Sequence, residues 1–241
     1  MSDTSSTGLT RRIGQIDWSR ISQNLDAQGY ATVCGLLNPE ECSALSGLYS
    51  FDVRFRSRII MGRHGFGRGE YKYFSYPLPD VVGQLRTTIY PHLVAIANQW
   101  NIALGVPVQY PERHTDYLKR CNRAGQTKPT ALLLRYGPDD YNCLHQDVYG
   151  EHLFPLQLTL LLSDPLKDFT GGEFVMTEQR PRMQSRPMVV PMLQGDAVIF
   201  AVRHRPIHGT RGYYRVNLRH GVSRILSGQR FTLGIIFHDA T

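Results

Sequence analysis

Residues 131–150 read ALLLRYGPDDYNCLHQDVYG. Two β-prone runs, ALLLRYG and YNCLHQD, flank a Gly-Pro-Asp-Asp turn signal, and the second run ends in His145-x-Asp147. On an extended strand residues two apart share a face, so this imidazole and carboxylate project together. The same texture continues toward the C-terminus in LFPLQLTLLLS, GEFVMTE, RPMVVP, DAVIFAV, YYRVNLRHGV and RFTLGIIF, short runs punctuated by Gly, Pro, Asp and Ser. From residue 130 onward the chain therefore reads as roughly eight strands.

Upstream, the periodicity is helical. Trp18, Ile21 and Leu25 predict a first helix that Gly29 stops. ATVCGLL (31–37) reads as a strand. Asn38, Pro39 and Glu41 then supply a cap, a first-turn proline and a capping box for a helix through Leu48. Phe51 to Pro79 is a Gly/Arg/aromatic segment without clear periodicity. Val82, Leu85, Ile89, Leu93, Ile96 and Trp100 mark a long helix, expected to break or kink near Pro91, and a further helix is expected around 112–121. Residues 1–12 are Ser/Thr-rich and read as a mobile tail. Helices followed by strands give an α+β class, a β-sandwich or jelly roll buttressed by N-terminal helices, with no internal repeat and no second domain.

Composition fits this reading. Of 241 residues, 41% are hydrophobic and 20% charged, enough for a real core. There is no apolar run of membrane-spanning length and no apolar segment near the N-terminus, so the expectation is a cytoplasmic protein without membrane contact. Cys34, Cys42, Cys121 and Cys143 are far apart and form no C-x-x-C pair, which argues for reduced thiols. The net charge of +7 would attract polyanions.

One imidazole, one carboxylate and a distant second imidazole make a 2-His-1-carboxylate facial set, the open-faced arrangement that holds Fe(II). The second imidazole can come from His204, His208 or His220. His208 follows the strand GDAVIF. His220 lies ten residues before Arg230, and Ser227-Gly228 between them predicts a hairpin that sets the two on neighbouring strands, on one side of a sheet. A guanidinium there suits bidentate binding of a carboxylate, and Thr232, on the same face, could add a hydroxyl.

RYGPDDYNCLHQD resembles the Arg-Tyr-x-Pro…Leu-His-Gln-Asp segment of the AlkB-type 2-oxoglutarate, Fe(II)-dependent dioxygenases. HGVSRILSGQRFTLGIIF resembles the closing His-x-Val…Ser-Gly-x-Arg motif of prolyl-hydroxylase-like members of that superfamily. Across about residues 25–240, the blocks LHQDVYG, TGGEF, RHGVS and GIIFHDA resemble a bacterial family of such oxygenases described as acting on alkylated or damaged DNA. The resemblance implies a double-stranded β-helix (jelly roll) with supporting N-terminal helices. One Fe(II)/2-oxoglutarate dioxygenase domain would span 13–241, with a helical part at about 13–125 and a jelly-roll core at about 130–238. It implies His145, Asp147 and His220 as Fe(II) ligands, with His208 the fallback and His204 a surface residue. It implies Arg230 for the distal carboxylate of 2-oxoglutarate, helped by Thr232 and the Tyr136 hydroxyl, with O2 as the other co-substrate. His238 and Asp239, after the last strand, read as structural, and Arg215, Arg219 and Arg224 as solvated or substrate-facing.

For the substrate, residues 51–76 interleave Arg54, Arg56, Arg58, Arg63, Arg68 and Lys72 with phenylalanines and tyrosines. Cations for phosphates beside rings for bases suit nucleic acid, with Arg63, Phe66, Arg68 and Tyr71 as contacts and four nearby glycines permitting a flexible lid. The bland alternative is a strand pair with arginines in water and aromatics packed on helices. The leading expectation is oxidative dealkylation of damaged, N-alkylated DNA or another nucleic acid, with no obligate protein partner. The competitors are prolyl-hydroxylase-like hydroxylation of a protein side chain or small metabolite, and a non-catalytic cupin-like binding module.

Overall fold

A computed structural model describes residues 3–148 and 150–241. Over residues 3–12, where a mobile tail was expected, the structure has a helix, α1 (Asp3–Gly14); residues 1 and 2 of that expectation lie outside the described residues. Leu9 and Ile13, one helical turn apart, are fully buried, and Arg12 bonds the Leu36 carbonyl (2.8 Å) and Glu41. Two apolar anchors among polar residues were enough to dock it. Helix α2 (Trp18–Gln28) buries Ile21 and Leu25, is capped by the Asp17 side chain on the Arg20 N–H, and ends at Gly29 with φ 82°, a left-handed C-cap. Strand β1 (Tyr30–Val33) is shorter than the expected 31–37. Helix α3 (Pro39–Gly47) carries the predicted capping box, Asn38 and Glu41 each accepting the other's backbone N–H.

The segment without periodicity holds three strands, β2 (Phe55–Ile60), β3 (Gly67–Arg68) and β4 (Glu70–Phe74). Their pairing pattern hides in the sequence because one register shift interrupts β2 against β4. The part expected to be helical thus also contributes sheet. Helix α4 (Asp80–Ala103) runs unbroken through Pro91, where a break or kink was expected, because apolar residues on both sides of the proline are buried. Helix α5 (His114–Arg123) follows. At the end of the chain the buried Asp239 carboxylate pairs with Arg86 of α4 at 2.7 Å, and Arg86 also donates to the Ile236 and His238 carbonyls. His238 and Asp239 accordingly serve the structure.

All eight expected strands are present: β5 (Leu132–Tyr136), β6 (Tyr141–His145), β7 (Leu156–Leu161), β9 (Phe174–Gln179), β10 (Arg186–Val190), β11 (Ala197–Ala201), β13 (Gly212–Val222) and β15 (Arg230–Ile235). Three more were not foreseen, β8 (Phe169–Gly171), β12 (His204–Gly209) and β14 (Ile225–Gly228). They form two larger antiparallel sheets, β1-β11-β7-β15-β5-β4-β2 and β10-β9-β13-β6-β3, with β12 paired to β13 and β14 to β8. The main core joins the helices to the first sheet, through residues such as Leu85, Ile89 and Leu93 of α4 and Leu158, Leu160 and Leu233. Among the described residues no helix is long and apolar enough to cross a membrane, and all four cysteines are free.

Candidate metal centre and its cavity

Strands β6 and β13 pair antiparallel with His145 directly opposite His220. Their rings stand 4.2 Å apart between centroids, and the Asp147 carboxylate reaches both: Oδ1 lies 3.5 Å from His145 Nε2 and Oδ2 lies 3.4 Å from His220 Nε2. Donors held about 2.1 Å from one cation in cis positions stand about 3 Å apart, so this trio needs only a small contraction to share an ion. The candidate ligand atoms all lie within 4.8 Å of one another, and no other such group exists among the described residues. Asp147 sits two residues past the end of β6 rather than on it, so strand alternation is not what aims it. The amide of Gln157 on β7, in the facing sheet, holds it by donating to Oδ2 at 2.7 Å.

The electrostatics suit a cation. Burial alone would raise the Asp147 pKa, but contacts with His145 and His220 outweigh it and hold the carboxyl well below its usual range. Burial and the neighbouring His145 push His220 downward, toward the neutral form that ligates. Burial also disfavours the His145 cation, yet Asp147 overrides it and the pKa rises. His145 Nδ1 lies 2.7 Å from the Cys143 carbonyl, an acceptor that fixes the proton there and frees Nε2 for a metal.

A cavity of about 370 Å³ opens beside this trio, lined from both sheets. His145, Asn142, His220 and Val222 come from one sheet; Tyr136, Gln157, Arg230 and Thr232 come from the other. One extra residue on β6 between its pairings with His220 and Val222 lets His145 and Asn142, three apart, both face inward. Phe200 and Phe174 wall the His220 ring at 4.6 and 6.1 Å.

Arg230 is 2% exposed, and its Nε and Nη1 have no hydrogen-bond partner. Desolvation pushes its pKa down to about 10. A buried, unpaired guanidinium is costly, and an acidic ligand in the cavity would relieve it. Tyr136 is opposite Arg230 in the β5–β15 register, its hydroxyl 3.4 Å from the Asn142 amide, and Thr232 is 3% exposed on the same strand as Arg230. The donor set and this unpaired cation together fit Fe(II) with 2-oxoglutarate.

The route to that arrangement differs from the expected hairpin. Residues 225–228 leave β13 to pair with β8, and Gly228, at φ 78°, lies where a Cβ would collide with the Asp168 carbonyl. His220 and Arg230 consequently lie on different sheets and line one cavity from its two walls. The remaining candidates are now placed. His208 is exposed on β12, edge-on to Tyr213 at 5.0 Å, opposite a residue seven positions before His220, and lies outside the trio. His204 is half-buried on the same strand.

Phe66 (49% exposed) and Tyr71 line the cavity; Arg63 and Arg68 are exposed and are not among its lining residues, Arg68 lying 3.3 Å from Asp140. The segment is not a free lid: Gly67 and Arg68 pair with Asn142 and Tyr141 of β6, and the Phe66 carbonyl accepts the Cys143 N–H. Within β2 and β4, Arg56 lies over the Tyr73 ring and Arg58 bonds Glu70, while Phe55 and Phe74 stack, so much of the Arg/aromatic texture is structural. Gln157 was missed. A single amide inside the leucine-rich LFPLQLTLLLS was the available signal, since a buried polar group needs a partner.

An uncharacterized protein of Mycobacterium tuberculosis (strain H37Rv) is 46% identical over 192 residues, covering 78% of this chain and 82% of that protein. An oxidoreductase of the 2OG-Fe(II) oxygenase family from Burkholderia pseudomallei superposes with a TM-score of 0.56 at 14% identity, covering 94% of each chain. The non-heme alpha ketoglutarate dependent epimerase SnoN from nogalamycin biosynthesis gives 0.54 at 16% identity, with 90% of this chain and 80% of that one covered. A Pseudomonas putida prolyl-4-hydroxylase gives 0.50 at 13%, covering 90% and 96%. At such identities the likeness is one of fold. The family model Oxygenase-NA, described as an oxygenase catalysing oxidative methylation of damaged DNA, matches residues 69–240, well over half of the sequence. The chain belongs to that family, an oxygenase with the fold of the 2-oxoglutarate/Fe(II)-dependent enzymes.

Proposed function

We propose that the protein is an Fe(II)- and 2-oxoglutarate-dependent dioxygenase, built on a double-stranded β-helix (jelly roll), that oxidatively removes alkyl groups from damaged DNA. The observation that carries the cofactor reading is the buried, unpartnered Arg230 guanidinium in the cavity that also holds His145, Asp147 and His220. Bound Fe(II), with 2-oxoglutarate and O2, supplies the oxidising power to hydroxylate a substrate C–H bond, and hydroxylation of an N-alkyl carbon ends in release of an aldehyde.

The chain's own residues do the positioning. His145, Asp147 and His220 would hold the metal, and the Asp147 carboxylate would offset one of its charges. Arg230, with the hydroxyls of Thr232 and Tyr136, would bind the far carboxylate of the diacid, all three side chains being buried at the cavity wall. Phe174, Phe200 and Val222 keep the cavity apolar around the metal.

The DNA reading is supported by the family description, by the charge of +7, and by Phe66, Tyr71 and Tyr73 lining the cavity from a segment that also exposes Arg63 and Arg68. An enzyme acting on a paired base would have to flip it into this cavity. The deciding assay follows succinate and formaldehyde with methylated oligonucleotides, peptides and free nucleosides. Formaldehyde from methylated oligonucleotides alone is the expected result. Hydroxylated peptide without formaldehyde would replace it with prolyl-hydroxylase-like chemistry, which the His220–Arg230 spacing of ten residues favours as the second reading. No turnover of 2-oxoglutarate with Fe(II) present would leave a binding module.

A further inference from the structure

Strand β13 alternates cleanly. Val216, Leu218 and His220 are buried inward, whereas Tyr213, Arg215, Asn217 and Arg219 are exposed on the opposite face. Residues directly opposite on antiparallel strands share a face, so the register extends this surface. Thr177 and Gln179 of β9 stand beside Arg219 and Asn217, and His204 of β12 stands on the other side of Asn217. Beyond β9, Pro187 and Val189 of β10 continue it.

No carboxylate occupies a register position of this face on β10, β9, β13 or β12. The acid of β9, Glu178, points inward and is 3% exposed, bonded to Arg205 and Arg180. Arg215 and Arg219, and Arg203 just before β12, are exposed, and none has a carboxylate at ion-pair distance among the described residues. The charge is felt locally: burial first, then Arg203 and Arg215, push the His204 pKa down. Other arginines in this protein, such as Arg58, Arg86, Arg205 and Arg113, have acidic partners. From Arg215 to Arg219 the outer face of β13 is thus an uncompensated cationic strip among amide and hydroxyl groups, with Arg215, Asn217 and Arg219 all exposed.

We propose that this face is a docking track for the backbone of single-stranded DNA, with Arg215 and Arg219 each neutralising a phosphate. The inference rests on the DNA reading above and adds where the strand lies. Four residues of β-strand span about 13 Å, the rise of roughly four stacked nucleotides at about 3.4 Å each. Guanidiniums suit phosphates, and Asn217 and Gln179 between and beside them supply neutral hydrogen bonds without charge repulsion. Arg219 directly precedes His220, so a strand held here lies on the back of the sheet whose inner face carries the metal centre. Its neighbouring nucleotides can pass the end of β6, where Val148, 45% exposed, lines the cavity.

The test is the salt dependence of binding an unmodified oligothymidylate by the full chain. Each lost phosphate contact on single strands flattens the log–log salt slope by about 0.7. Arg215→Ala/Arg219→Ala should therefore give a slope shallower by about 1.4, with an unchanged melting temperature. A matched pair on α5, Arg120→Ala/Arg123→Ala, should leave the slope as in the wild type. If the wild type binds and dealkylates DNA but the β13 pair keeps its slope, this inference falls and the DNA reading stands. If the wild type binds no oligothymidylate even at low salt, both fall. Loss of binding in the β13 pair toward an acidic polypeptide, with oligothymidylate unaffected, would overturn the track in favour of a protein partner.

Discussion

At the level of single residues, the site is a contest between burial and charge. Asp147 stays ionised although buried because two imidazoles face it, and Arg230 stays buried although unpaired in the protein alone. Three outcomes follow from these residues. His145→Ala, Asp147→Ala or His220→Ala should each abolish succinate formation, while His208→Ala, remote on β12, should retain most of it; the reverse pattern for the two histidines would move the metal. Arg230→Gln removes a charge-assisted interaction worth about 1.5–3 kcal/mol, so KM for 2-oxoglutarate should rise roughly 10- to 100-fold, with metal affinity unchanged by direct titration. Gln157→Ala deletes the amide that holds Asp147 Oδ2 at 2.7 Å. Losing such a support should weaken Co(II) binding by about 10- to 100-fold, read from the metal's visible absorbance.

Among elements, the decisive event is the path from β13 to β15. A hairpin at Ser227-Gly228 would have stacked His220 and Arg230 on adjacent strands; pairing of β14 with β8 carries the chain to the other sheet instead. Gly228 makes this possible through its positive φ and its missing Cβ. Gly228→Ala combines backbone strain with overpacking against Asp168, so stability should drop by about 2–4 kcal/mol in urea unfolding. KM for 2-oxoglutarate should rise with it as Arg230 shifts; a variant with wild-type stability and KM would show that the crossing does not depend on this residue. The β3 segment makes the same point. Glycine-rich MGRHGFGRG suggested freedom, yet its backbone is tied to β6, and the tie sets Phe66 at the cavity.

For the molecule as a whole, the helical layer and the sheet are locked by buried histidines as well as by apolar contacts. Burial, reinforced by Arg86, pushes His114 down to about 4 and His238 down to about 3. Both are neutral in the folded protein well below 6.5, the value at which they titrate when unfolded. Above that value neither state binds the extra protons, and their effect on stability is constant. As pH falls below it the unfolded chain takes up protons the folded chain refuses, so stability declines toward pH 4. The slope is up to about 1.4 kcal/mol per pH unit for each group. Melting temperatures recorded across this range should fall steadily, and less steeply in His114→Gln; a flat profile would mean the two rings protonate in place.

Local chemistry determined a great deal by itself. The capping box at Asn38–Glu41, the stop at Gly29 and the strand character of the eight runs after residue 130 all depend on neighbours within a few positions, which a sequence displays directly. Leu9 and Ile13 could not announce a helix by themselves, because two apolar residues in a polar segment gain stability only once a groove exists to receive them. Nor could spacing decide between His208 and His220, place His220 and Arg230 on opposite walls, or show that Gln157 reaches across to Asp147. Those facts come from strand register and sheet crossing, which are set by the summed packing of the whole chain, and the strip of unpaired arginines on β13 became visible only when the inward and outward faces were known.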